Sequence, residues 1–127
     1  MTSASLTGRS ILLLEDEPLI ALAVQQELQD EGAKVQTART LACASRVLQS
    51  EDLSAAIVDF GLSDGDASEI CAVLNRRRIP FIVHSGYTPC CEFRGAAAVI
   101  PKPAPSGALV TALCDALPPV SQKAVST

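Results

Sequence analysis

Five side chains carry the chemistry this sequence could perform: Glu15 and Asp16, Asp59, Ser85 and Lys102. Three carboxylates drawn together repel one another, and such a cluster persists only when a cation or a proton offsets its charge. Mg²⁺ suits the set, because that ion takes one or two carboxylates, several waters and a phosphate oxygen. A hydroxyl such as Ser85 and an ammonium such as Lys102, facing the acids, suit phosphoryl oxygens, where positioning and charge stabilisation supply most of the catalysis. Asp59 would then be the nucleophile.

That chemistry requires elements that bring the five residues to one place. Ser10 to Leu14 is a continuous apolar run that stops at Glu15-Asp16-Glu17, the pattern of a central parallel strand covered on both faces. Pro18 fits a first helical turn, and Pro18 to Glu31 carries Leu19, Leu22, Ala23 and Leu28 before Gly32 stops it. Lys34 to Ala38 reads as a more polar strand nearer a sheet edge. A second helix spans Thr40 to Gln49, with Leu41, Ala44, Val47 and Leu48 on one face. Ala55 to Val58 is a buried strand ending in Asp59, followed by a Gly-rich loop from Phe60 to Gly65. Asp66 or Ser68 caps the next helix, which runs through Ile70, Val73 and Leu74 to Arg76-Arg77-Arg78. Pro80 to His84 forms a fourth strand, ending at Ser85-Gly86. Ala97 to Ile100 forms a fifth, ending at Pro101-Lys102-Pro103, and a helix from Ser106 to Leu117 closes the domain.

Strand and helix alternate five times, which calls for an α/β fold with a parallel sheet, helices on both faces and right-handed crossovers. In such doubly wound sheets the functional crevice lies at the carboxyl ends of the strands. Four of the five strands end in one of the chemically useful residues, so strand order alone predicts their convergence.

With 127 residues there is room for one domain, predicted over residues 9–117 between tails 1–8 and 118–127. The 48% hydrophobic and 19% charged residues exclude a disordered chain. A net charge of −4 argues against nucleic acid as a partner, and the one basic run, Arg76 to Arg78, reads as a helix C-terminus complementing the helix dipole. No apolar run approaches the roughly 20 residues that span a bilayer, and the first ten residues lack a signal-like stretch, so a cytoplasmic protein without membrane contact is expected. Cys43, Cys71, Cys90, Cys91 and Cys114 lack metal-ligand spacing and suit a reducing compartment. Cys43, Cys71 and Cys114 are expected to pack on apolar helix faces. The adjacent Cys90 and Cys91 could carry a redox or metal role, though without a C-x-x-C.

The ordered set resembles the response-regulator receiver domains of two-component signalling, over about Arg9 to Leu117. Its markers are Glu15-Asp16 after the first strand, Asp59 after the third, Ser85 after the fourth, and Lys102 in Pro-Lys-Pro after the fifth. The resemblance implies a flavodoxin-like five-stranded sheet of order 2-1-3-4-5. It implies phosphoryl transfer from a histidine kinase or phosphotransfer protein to Asp59, with Glu15, Asp16, Asp59 and the Gly61 carbonyl holding Mg²⁺. Ser85 and Lys102 would contact the phosphoryl group, and Lys102-Pro103 would be cis.

Three departures stand out. The loop after Asp59 reads Gly61-Leu62-Ser63-Asp64-Gly65, without the usual proline. Val99 stands where an aromatic switch residue is usual. Only 16 residues separate Ser85 from Lys102, with Pro89 and Gly95 among them, so the fourth helix should be short, distorted or missing and the Pro89 to Gly95 stretch mobile. Pro80-Phe81 through Ser85-Gly86-Tyr87 resembles an atypical receiver subgroup with a Phe-Ala-Thr-Gly-Tyr-like segment, often paired with HWE-type kinases.

Each residue also has a plainer reading. The acids after the first strand could serve only the helix dipole. Asp59 and Ser85 could be turn residues, and Lys102 an ordinary exposed lysine. His84 reads as a packed or half-exposed side chain rather than a base, and Tyr87 as either a switch or a cover. Two rival functions remain open. One is an unphosphorylated pseudo-receiver acting as an interaction module. The other is a small phosphate-ester hydrolase, although Asp16-Glu17-Pro18 is not the Asp-x-Asp that first-strand aspartate phosphatases use.

Overall fold

A computed structural model describes residues 5–62, 65–86 and 95–118. The strands are β1 (Ser10–Leu14), β2 (Lys34–Ala38), β3 (Ala55–Val58), β4 (Gly61–Leu62), β5 (Gly65–Asp66), β6 (Phe81–Ser85) and β7 (Ala98–Pro101). The helices are α1 (Pro18–Asp30), α2 (Leu41–Ser50), α3 (Ser68–Arg76) and α4 (Ala108–Ala116). Five strands make a parallel sheet of order β2-β1-β3-β6-β7, which is the expected 2-1-3-4-5 once the small antiparallel pair β4-β5 is set aside. That pair was read from sequence only as a Gly-rich loop. The segment where a fourth helix would lie, with Tyr87, Pro89, Cys90 and Cys91, falls outside the described residues.

Alternation of side chains along the strands divides the core in two. Leu12, Leu14, Ala56, Val58, Phe81 and Val83 meet Ala44, Leu48, Ile70 and Leu74 of α2 and α3. On the opposite face, Ile11, Leu13, Ile57 and Ile82 meet Val24 and Leu28 of α1 and Leu109 and Leu113 of α4. Both faces of β1 and β3 are therefore dry, which explains why their sequences are continuous apolar runs. Each fully buried aliphatic side chain contributes about 1.5–3 kcal/mol of transfer free energy.

Of the apolar residues its sequence suggests for the inner face, helix α1 buries only Leu28. It buries Ala21, Val24 and Leu28 and leaves Leu19 at 81% and Leu22 at 60% exposure. Its first two turns are apolar all round, so periodicity could not choose the inner face. Helix α2 starts as expected, with the Thr40 hydroxyl accepting from the Cys43 N–H at 3.1 Å. The three arginines do end a helix: α3 stops at Arg76, and the Arg77 guanidinium donates to the Leu48 carbonyl. Of the cysteines, Cys71 is buried and Cys43 partly so, but Cys114 faces solvent, contrary to the packing expected of it. Burial, reinforced by the nearby Asp66 charge, pushes the Cys71 thiol up to about 11. Iodoacetamide at neutral pH should therefore modify Cys114 well before Cys71; peptide mapping that finds Cys71 modified first would contradict this packing.

Asp66, rather than Ser68, serves the start of α3: its Oδ1 accepts from the Ser68 N–H at 2.9 Å. Hydrogen bonds from the Ser68 side chain and backbone hold its carboxyl below the ordinary value. A depressed folded-state value means stability that is present above the unfolded value of 3.8 and lost as pH falls through the lower, folded value. Asp66→Ala should accordingly lower the thermal midpoint at neutral pH, and the gap to the parent should close in strong acid. An equal gap at both extremes would show that the charge is not responsible.

Packing begins before Arg9. Leu6 is fully buried against the α1 and α4 face, inside the stretch expected as a tail, and its N–H donates to the Glu31 carbonyl at 2.8 Å. The Arg9 guanidinium donates to the Pro118 carbonyl at the other end of the packed unit. At the start of α4, the N–H of Gly107, with φ +85°, donates to a Glu27 carboxylate oxygen from α1.

Candidate functional site

Register brings the carboxyl ends of the central strands level. Leu14 lies beside Ala38 and Val58, Val58 beside Val83, and Ser85 beside Pro101. The ladder continues one residue past β1 and β3: the Glu15 N–H donates to Ala38 at 3.0 Å and the Asp59 N–H to Leu14 at 2.9 Å. The backbones of both acids are thus fixed by the sheet rather than left on free loops.

Lys102 is placed the same way. Its N–H donates to the Ser85 carbonyl at 2.8 Å, and the Lys102-Pro103 bond that follows is cis, as the resemblance implied. Its Nζ then lies 2.8 Å from Glu15 Oε1 and 3.1 Å from Asp59 Oδ2. Glu15, Asp16 and Asp59 each offer a carboxylate oxygen, and these oxygens lie within 4.8 Å of one another. Glu15 and Asp59 are buried and Asp16 partly so. Ser85 is buried as the last residue of β6. Gly61 opens β4 two residues beyond Asp59, exposed, in a position where a side chain would meet nothing.

The electrostatics follow from this geometry. Burial raises the Glu15 carboxyl above its ordinary value; the negative charge of Asp59 adds to the rise, while bonds from Lys102 and the Glu17 N–H oppose it. Burial alone would lower the Lys102 ammonium, but its bonds to Glu15 and Asp59 outweigh that and hold it raised. Three acids confront one ammonium, so the donor set is all oxygen and short of positive charge, the chemistry that fits a small hard cation.

One residue read as a packed side chain is packed, with its polar atoms unmatched among the described residues. His84 is 4% exposed, and neither ring nitrogen has a hydrogen-bond partner among the described residues. Burial lowers its pKa, and the positive charge of Lys102 adds to the effect. Its place directly after the apolar run from Phe81 to Val83, within the same strand, was the available signal. Val99 is 42% exposed on edge strand β7.

No family model matches the chain. It is 27% identical over 130 residues to the photosynthetic apparatus regulatory protein RegA of Rhodobacter capsulatus, covering 94% of this chain and 71% of that one. It is 33% identical over 112 residues to the sensor protein TorS of Escherichia coli, covering 79% of this chain and 12% of that one. Among solved structures, a CheY-like response regulator receiver domain protein of Methanospirillum hungatei superposes with a TM-score of 0.77 at 25% identity, over 84% of this chain and 91% of that one. The response regulator TrrA of Thermotoga maritima, solved in complex with Mg²⁺ and BeF, superposes with a TM-score of 0.74 at 21% identity, over 86% and 99%.

Sheet order, the acidic pocket at the strand ends and these relatives together define a response-regulator receiver domain. Its work is phosphorelay signalling, and neither rival function is favoured. Among the described residues, no helix is long and apolar enough to cross a membrane.

Proposed function

We propose that Asp59 is the residue phosphorylated. Its carboxylate oxygen attacks the phosphorus of a phosphohistidine on a histidine kinase, HWE type included, or on a phosphotransfer protein. The P–N bond breaks, the imidazole leaves, and an acyl phosphate forms. Glu15, Asp16, Asp59 and the Gly61 carbonyl would hold Mg²⁺, which when bound supplies positive charge to the phosphoryl oxygens. Lys102 supplies a further charge and Ser85 a hydroxyl donor at the same oxygens. The domain catalyses only its own phosphorylation and dephosphorylation, in the cytoplasm, and passes the signal to a protein partner rather than to nucleic acid. The observation that carries this reading is Lys102 Nζ bridging Glu15 and Asp59 across three strand ends.

The test is incubation with phosphoramidate and Mg²⁺, followed by mass spectrometry. One phosphoryl group, hydroxylamine-labile and mapping to the peptide that contains Asp59, is expected. Absence of an adduct would instead favour the pseudo-receiver, and a label on another residue would move the site. Asp16→Ala should weaken Mg²⁺ binding by about tenfold or more, measured by calorimetry, because it removes one of three carboxylates.

A further inference from the structure

A cavity of about 500 Å³ lies beside the acidic pocket on the α1 and α4 face. Ile20 and Val24 of α1, Leu109 of α4 and the Pro103-Ala104 turn wall it, with Leu19 and Ala23 towards its solvent side. One further wall residue is His84, the buried imidazole whose two nitrogens lack partners among the described residues. An unpaired buried polar group is costly, and native proteins seldom retain one unless something pairs with it. A mainly apolar pocket of this size with a few polar groups, of which His84 alone lacks a partner among those described, has the form of a small-molecule site.

We propose that this cavity binds a small, uncharged, mainly apolar molecule bearing one hydroxyl, of the aryl alcohol type, with the hydroxyl paired to His84. Charge is disfavoured for two reasons. The Lys102 ammonium in the wall is already committed to Glu15 and Asp59, so among the described residues an anion finds no free cation there. Glu27 would repel an anion, while its carboxylate already accepts from the Gly107 N–H and offers little to a cation. The imidazole ring reaches the ligand by turning about χ2, a soft torsion in histidine.

This site goes beyond phosphoryl acceptance and is tested on the unphosphorylated full chain, so its outcome is independent of the role of Asp59. The probe is p-cresol, with toluene as its twin lacking the hydroxyl, followed by methyl and imidazole NMR. Saturable shifts at Ile20, Val24, His84 and Leu109 are expected, with a dissociation constant of about 1 mM or tighter for p-cresol. Toluene should bind about tenfold more weakly, because it leaves His84 unpaired. His84→Leu, which places an aliphatic side chain in an aliphatic core, should bind the two probes equally. Ala23→Trp, at an exposed position on α1, should block both. The proposal is overturned if p-cresol gives no saturable shifts at the cavity, if toluene binds as tightly to the parent, or if either variant leaves the preference for p-cresol intact.

Discussion

Asp59→Asn is expected to take up no phosphoryl group from phosphoramidate under conditions that label the parent fully. The amide has the shape of the carboxylate but lacks the anionic oxygen that attacks phosphorus. Its folding should be close to normal, for reasons visible in the site. Lys102 keeps its 2.8 Å contact with Glu15, and the repulsion between Glu15 and Asp59 disappears as the second ion pair is lost. Circular dichroism and the urea midpoint should therefore stay near the parent's while labelling falls to nothing. Labelling of this variant at the parent's rate would remove Asp59 from the chemistry altogether.

Lys102→Met is expected to cost about 2–4 kcal/mol of stability in metal-free buffer, since it removes the cation that two buried carboxylates share without removing the carboxylates. Glu15 is 1% exposed and already raised by burial, so loss of the ammonium, which opposes that rise, should raise it further. Mg²⁺ should restore much of the loss by replacing the missing charge, so the difference between the variant's urea curves with and without the ion should exceed the parent's. Phosphoryl uptake should also slow, because one of the groups facing the phosphoryl oxygens is gone. A metal-free loss below about 0.5 kcal/mol, the scatter of ordinary surface substitutions, would show that the ion pairs are energetically idle.

The site was legible because it sits where apolar runs break. Leu14 to Glu15 and Val58 to Asp59 are each a step from a strand dry on both faces to an acid, and parallel register does the rest. Lys102 was legible by order alone. Its reach across to Glu15 and Asp59 depends on the backbone bond that ties Lys102 to Ser85 at the end of β6, which no sequence periodicity encodes. The inner face of α1 was hidden because Leu19, Ile20, Ala21, Leu22, Ala23 and Val24 are all apolar. Cys114 was misplaced for a related reason: α4 is apolar enough that its outer face does not announce itself. His84 was read as packed, and it is, but a sequence cannot show that its nitrogens go unpaired among the described residues.

The clasp at the far pole has a practical meaning. Leu6 and Arg9 enter the fold beside Glu31 and Pro118, at the end of β1 opposite Glu15, so both joints of the packed unit sit together and away from the acids. A unit built this way can be spliced into a longer polypeptide, or circularly permuted by a short bridge from 118 to 6, with little disturbance to its reactive end. Its architecture is that of a cassette.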